Sequence, residues 1–263
     1  MSSAGSTEGN PVVCCERTGG IAIVTLNEPA RLNCLSMAIR AELLGALTAI
    51  EHDPNIRVIV LTGAGGNFCA GGDIASMREA LGIARARERV GDAGEIARML
   101  ARGSKPVIAA VEGWAAGAGL SLCALCDTVV ASSDARFRAG FGQVGLLPDM
   151  GLLHSLPRRI GVGRARTMLF YGEPVDVAQA HGWGLVDVIT PAGTALEEAV
   201  RLAKLLEKQA PLPIAVARAQ LSAGIEEMLA AERNLQALMF QSQDHTEGRE
   251  AFLGKRKAAF TGQ

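Results

Sequence analysis

Short unbroken apolar runs alternate along the chain with longer stretches whose apolar positions recur every three or four residues. The run Ile21–Leu26 predicts a strand, closed by Asn27-Glu28-Pro29. Ser36 is placed to cap a helix over Met37–His52, with Leu43, Leu44, Leu47 and Ile50 on one face and Asp53-Pro54 as its stop. Val58–Thr62, Pro106–Val111, Thr128–Ala131 and Leu185–Ile189 predict further strands. Ala118–Cys126, Arg164–Tyr171 and Val177–Trp183 predict helices. Residues 74–102 have a helical pattern interrupted by glycines, with a charge-rich stretch at Arg85–Arg89, and form a candidate mobile flap. Alternating strands and helices define an α/β chain. From Thr194 onward the pattern is helical only, over Leu196–Gln209, Ile214–Ser222, Ile225–Gln241 and Glu247–Phe260. That last quarter is either a helical subdomain or an oligomerisation arm. Met1 to Pro11 is small and polar. The expected organisation is a disordered tail over 1–11, a core over 12–195 and a helical region over 196–263.

Two glycine-rich turns follow buried strand patterns. Phe68-Cys69-Ala70-Gly71-Gly72-Asp73 comes after Val58–Thr62, and Gly113-Trp114-Ala115-Ala116-Gly117-Ala118-Gly119 comes after Pro106–Val111. Such turns bare backbone N–H groups, and small residues let a ligand approach them. Side by side, two such amides hold one developing negative oxygen, an oxyanion hole. The glycine-bearing segment Arg136–Asp149 is expected to loop over a site.

Composition narrows the classes. A chain of 263 residues that is 49% apolar and 20% charged supports one large domain, or one domain with an appendage. A formal net charge of −1, without an arginine- and aromatic-rich face, argues against nucleic acid as a partner. The uncharged stretch Gly113 to Cys126 is too short and glycine-rich for a membrane span. A soluble, cytoplasmic protein is expected. The cysteines at 14, 15, 34, 69, 123 and 126 sit mostly among apolar residues and are expected to be reduced core positions. Cys123-Ala124-Leu125-Cys126 has no second ligand pair at zinc spacing, so no metal is expected. No G-x-x-x-x-G-K-[ST] phosphate-binding loop can be read in the chain. Gly119-Leu120-Ser121-Leu122-Cys123 lacks the second glycine of a hydrolase nucleophile elbow.

A longer series of markers is more specific. It runs Arg31-Leu32-Asn33-Cys34-Leu35-Ser36, then Leu61-Thr62-Gly63 through Asp73, then Lys105 to Gly113, Cys126-Asp127, Gly145-Leu146-Leu147-Pro148-Asp149, Leu156-Pro157-Arg158, Gly184-Leu185-Val186 and Phe252-Leu253-Gly254-Lys255-Arg256. In this order, from about residue 12 to 263, the chain resembles the crotonase (enoyl-CoA hydratase/isomerase) superfamily. The resemblance implies a ClpP-like spiral of ββα units with a C-terminal helical region that builds homotrimers or hexamers (dimers of trimers). It implies acyl-CoA thioester substrates, with CoA part of the substrate and no separate cofactor. It places the oxyanion-hole amides at Gly72 and at Ala118, where the family usually has glycine. It assigns CoA contacts to Arg31, Cys34, Ala70 and Ile74, and to Phe252 and Lys255 from a neighbouring subunit. For Arg31 and Lys255 a solvated surface charge is the competing reading.

A hydratase of this family uses two glutamates around one water. Their positions fall on Ser121 and Phe141 here. Serine cannot replace a carboxylate base at neutral pH, and phenylalanine excludes water. The remaining acid is Asp149, in Leu147-Pro148-Asp149-Met150-Gly151. The resemblance is closest in site pattern to the 1,2-epoxyphenylacetyl-CoA isomerase and enoyl-CoA isomerase group, which places a catalytic aspartate at the matching position. One carboxylate suits isomerisation, which returns the same proton to a different carbon. An apolar setting among Phe141, Leu146 and Leu147 would raise its pKa. The competing role for Asp149 is N-cap of a helix starting near Met150. Ser121 either hydrogen-bonds substrate or lines the pocket, His154 is read as a core or interface histidine, and Asp73 and Asp127 as groups that hold backbone. The expected function is an acyl-CoA isomerase acting through a thioester enolate. The alternatives are a hydratase with non-standard residues and a non-catalytic acyl-CoA-binding homologue.

Overall fold

The computed structural model describes residues 11–78 and 82–263. The tail expected over 1–11 lies outside the described residues except for Pro11, as do residues 79–81 of the expected flap. A six-stranded sheet runs in the order β1 (Val13–Thr18), β2 (Ile21–Leu26), β3 (Val58–Gly63), β4 (Val107–Val111), β6 (Thr128–Ser132) and β9 (Val188–Thr190). Only the β1–β2 pair is antiparallel. A second, three-stranded sheet holds β5 (Trp114–Ala116), β7 (Arg136–Arg138) and β8 (Val175–Asp176). The chain leaves the large sheet at β4 for β5, returns through α3 (Ala118–Leu125) to β6, and leaves again for β7. This two-sheet winding is the α/β spiral the sequence led us to expect.

The central strands read as continuous apolar runs because both faces of the large sheet are covered. Ile59, Leu61, Val107, Ala109 and Val129 face the main core, which also takes Ile39, Leu43 and Leu47 of α1 (Met37–His52). Val58, Val60, Ile108, Ala110 and Val130 face the opposite way, against Ala195, Ala199 and Ala203 of α7 (Ala195–Leu206). Each large apolar side chain buried this completely is worth roughly 1.5–3 kcal/mol. Residues 196–263 therefore do not stand apart from the 12–195 region: the first of their helices closes the back of its sheet. α8 (Pro211–Leu221), α9 (Ile225–Met239) and α10 (Gln243–Leu253) follow.

Several elements depart from expectation. The segment expected as an interrupted helix becomes a 3-10 turn over Ile74–Arg78 and one unbroken helix, α2 (Ile83–Arg102). Gly91 and Gly94 are tolerated because α2 packs along α9, where the Arg233 guanidinium stands against Gly91. The helix expected to start near Met150 begins two residues later, as α4 (Leu152–Ile160), and α5 (Val162–Tyr171) and α6 (Val177–Trp183) come after it. α10 ends at Leu253 rather than Phe260. Beyond it the chain doubles back, and the Asp244 and Glu247 carboxylates accept the amides of Thr261, Gly262 and Ala259. Cys69, Cys123 and Cys126 are buried as expected, whereas Cys15 is exposed and Cys14 and Cys34 are half-buried. Among the described residues no helix is long and apolar enough to cross a membrane, and no cluster of His, Cys, Asp or Glu could hold a metal ion.

Candidate active site

The two glycine turns are locked against each other. Cys69 donates its N–H to Trp114 O at 2.9 Å and accepts Ala116 N–H at 2.9 Å, a parallel bridge outside the named strands. Leu35 N–H donates to Gly71 O at 2.7 Å, tying the first turn to the start of α1. Gly71 has φ +106°, and a Cβ there would lie 2.9 Å from Ala116 O and 3.6 Å from Ala118 N. The sequence needs glycine at this point both for the backbone conformation and for the contact. Ala118 is the first residue of α3 and 5% exposed, so its amide carries the positive end of that helix. Neither the Gly72 nor the Ala118 N–H has an acceptor among the described residues. Both residues line one cavity of about 400 Å³.

Asp149 lines the same cavity. Its carboxylate accepts a hydrogen bond from Gln236 Nε2 at 3.3 Å through Oδ2, while Oδ1 is sealed from solvent with no partner. Burial pushes the carboxyl up from the ordinary aspartate range, against the pull of the Arg40 charge and the Gln236 bond. Asp149 does not cap α4. The N-cap there is Gly151, and no side chain caps that helix; only the Asp149 backbone carbonyl accepts Leu152 N–H, at 3.2 Å.

The loop that carries Asp149 is held from three sides. Gln236 brackets Leu147, accepting its N–H and donating to its carbonyl, each at 2.9 Å. Glu232, one helical turn earlier on α9 and 2% exposed, accepts Gly151 N–H at 2.9 Å; its carboxyl is pushed up to about 8, chiefly by burial. Ser121 donates to the Asp149 carbonyl at 2.9 Å. The loop needs this support, since Met150, 2% exposed, sits at φ +53°, a left-handed backbone that methionine rarely adopts.

Of the residues expected at the site, Arg31, Cys34, Ala70, Gly72, Ile74, Ala118, Phe141, Asp149 and Phe252 line this cavity together. Arg31 is paired, with Nη2 2.7 Å from Asp73 Oδ2 and Nη1 3.7 Å from Glu28 Oε1. Burial tends to raise the Asp73 carboxyl, but the Arg31 bond and charge and the Ser76 amide outweigh it and hold it below its ordinary range. Asp127 braces β4 through Val107 N–H at 2.7 Å and pairs with buried Arg218. His154 is buried, and burial holds its imidazole below the ordinary histidine range.

A family model described as Enoyl-CoA hydratase/isomerase matches residues 16–263. The chain belongs to that family. Its relatives in the enoyl-CoA hydratase/isomerase family include the 1,2-epoxyphenylacetyl-CoA isomerase of Escherichia coli (strain K12), 36% identical over 93% of this chain and 96% of that protein. They also include the crotonyl-CoA hydratase of Syntrophomonas wolfei, 32% identical over 94% of this chain and 97% of that protein. Among solved structures, an enoyl-CoA hydratase from Mycobacterium avium subsp. paratuberculosis superposes with a TM-score of 0.85 at 29% identity, covering 95% of this chain and 98% of that one.

Three residues expected at the site stand out in how the structure places them. Phe252 lines the cavity of its own subunit, because α10 folds back over the 3-10 turn at Gly140–Val144; His245 contacts Val144 O at 2.8 Å, and a Cβ on Gly248 would strike the Val144 backbone. Lys255, at φ +50°, is exposed and is not part of the cavity wall. Ser121 is fully buried behind the wall and holds the Asp149 backbone rather than facing the cavity. Gln236, Glu232 and Arg40 went unseen in the sequence. Their signal was faint: on α9, Ile225 and Leu229 continue the same face as Glu232 and Gln236, so two polar residues fall on an apolar stripe.

Proposed function

We propose that this chain is an acyl-CoA isomerase that moves a double bond, or rearranges an epoxide, through a thioester enolate. One observation carries the reading. The cavity pairs two amides that have no acceptor among the described residues with a single carboxylate free of an ion pair: of its two acids, Asp73 is bound to Arg31, and Asp149 is left. The thioester carbonyl accepts from Gly72 and Ala118 N–H. Asp149 removes a proton from the α carbon of a 3-enoyl ester, leaving a dienolate whose charge rests on that oxygen, and returns the proton at the γ carbon to give the 2-enoyl ester. No water is consumed, and Phe141 stands where a hydratase needs a second acid. CoA enters as part of the substrate, and no separate cofactor takes part. Exposed Leu212, Val216 and Leu221 on α8 support a subunit contact, and with it a trimer or a pair of trimers.

Asp149→Asn keeps the shape and removes the base. Double-bond migration in 3-enoyl-CoA is expected to fall about 10²–10⁴-fold while a saturated acyl-CoA still binds. Unchanged turnover in that variant would overturn the role given to Asp149. The hydratase reading, favoured by relatives of that name, predicts conversion of crotonyl-CoA to 3-hydroxybutyryl-CoA at a rate rivalling isomerisation.

A further inference from the structure

Arg40 lines the acyl-CoA cavity and the isomerase reading does not use it. It projects from α1, is 8% exposed, and spends only its Nε, which donates to Leu35 O at 3.1 Å. Its two terminal nitrogens have no acceptor among the described residues, and it forms no ion pair within 4.0 Å. Asp149 is the acid that acts on it most strongly, ahead of exposed Asp92 and of Asp73, which is already paired with Arg31. A second, half-buried cation acts on the same side. Arg89 of α2 donates to Ser76 Oγ at 3.0 Å and leaves its buried Nε without a partner. Two guanidiniums thus act on Asp149, the one carboxylate on the cavity wall without an ion pair to offset them. A desolvated guanidinium with a free planar fork is costly unless an oxyanion completes it, and a carboxylate matches that fork in geometry and charge.

We infer that Arg40 is a specificity-determining residue which receives a carboxylate at the far end of the acyl chain, so that the favoured substrates are CoA monothioesters of unsaturated dicarboxylic acids. This rests on the acyl-CoA reading of the cavity, since the amide wall fixes the thioester and leaves Arg40 to meet the acyl group beyond it. Arg40 lines both this cavity and a groove along α1 that also holds Met37, Leu44 and Asp92.

The test is calorimetric binding of saturated esters, which cannot react: glutaryl-, adipoyl- and suberyl-CoA, each against the alkanoyl-CoA of equal length. On the unmodified protein, the carboxylated ester is expected to bind about tenfold tighter at one length or more. Arg40→Met should bring that ratio below about twofold, and Arg40→Lys, which keeps the charge but not the fork, should retain part of it. Equal or weaker binding of the carboxylated esters at every length overturns the inference without any variant being needed. A preference that survives in Arg40→Met overturns it too. Because the affinity ratio involves no turnover, it stands or falls separately from the Asp149→Asn result. Failure of every ester to bind would remove the acyl-CoA reading and this inference together.

Discussion

The two walls of the cavity are built by different means. The wall of Gly72 and Ala118 is backbone, set by two strand-ends hydrogen-bonded to each other within about fifty residues of sequence. The wall of Asp149 is side chain, assembled from α1, α3 and α9, and it depends on Gln236 and Glu232, more than eighty residues away. A backbone wall has few ways to fail, because the same glycines that expose its amides also close its packing. A side-chain wall can be retuned one residue at a time. The first suits what every reaction through a thioester enolate shares; the second suits what distinguishes one such reaction from another.

Substitutions on the two walls should therefore differ in kind, and they are ranked here by their effect on turnover. Gly119→Ala is the most severe. The added methyl would lie 2.2 Å from Cys69 O, and neither backbone segment can yield without breaking the bridge between the turns. Activity should vanish, and urea denaturation should show a loss of about 3 kcal/mol or more. Gly71→Ala comes next. At φ +106° and 2.9 Å from Ala116 O the new Cβ rotates the Gly72 amide off its target. A fall of about 10²–10³ in kcat/KM is expected with only a modest loss of stability. A Gly71→Ala enzyme of full activity would show that this amide is not aimed at the reacting oxygen.

On the other wall, Gln236→Leu removes one hydrogen bond to the Asp149 carboxylate and two to Leu147. The loop loosens, and kcat should drop about tenfold. Since the Gln236 amide favours the charged carboxylate, its loss should also move the ascending limb of the kcat/KM–pH profile upward. A drop in kcat with an unmoved limb would mean that Gln236 acts on loop geometry alone.

The same division governs how much could be read from the chain. α1 was legible to the residue because its cap is local, with Ser36 Oγ accepting Ile39 N–H at 3.2 Å. The strands buried on both faces announced themselves as apolar runs. β1 did not: it is an edge strand with four exposed residues, and Val-Cys-Cys-Glu-Arg-Thr has no alternation to find. β5, β7 and β8 have two or three residues each, below any detectable period. At the site, the glycine turns and Asp149 stood out because their chemistry is written in adjacent residues. Ser121 was found but given the wrong neighbour, since nothing local says that a helix faces the loop twenty-eight residues on. Gln236 and Glu232 carry meaning only once α9 is packed against that loop, and an i,i+4 polar pair on a helix is by itself unremarked.

Glu232→Gln should alter turnover least and is the most selective probe of the side-chain wall. Its carboxyl sits at about 8 in the folded chain against 4.5 as the ordinary value. Between those two values the folded chain keeps a proton that the unfolded chain has released. More protons are then bound in the native state, so stability must fall as pH rises through this window and level off outside it. The slope is at most about 1.4 kcal/mol per pH unit. Glutamine removes the titration, while its amide oxygen still accepts Gly151 N–H. Urea midpoints measured from pH 5 to pH 8 should decline less in Glu232→Gln than in the unmodified protein, with turnover near pH 7 held within about twofold. Parallel declines would mean that Glu232 is ionised when folded, and that the Gly151 amide outweighs its burial.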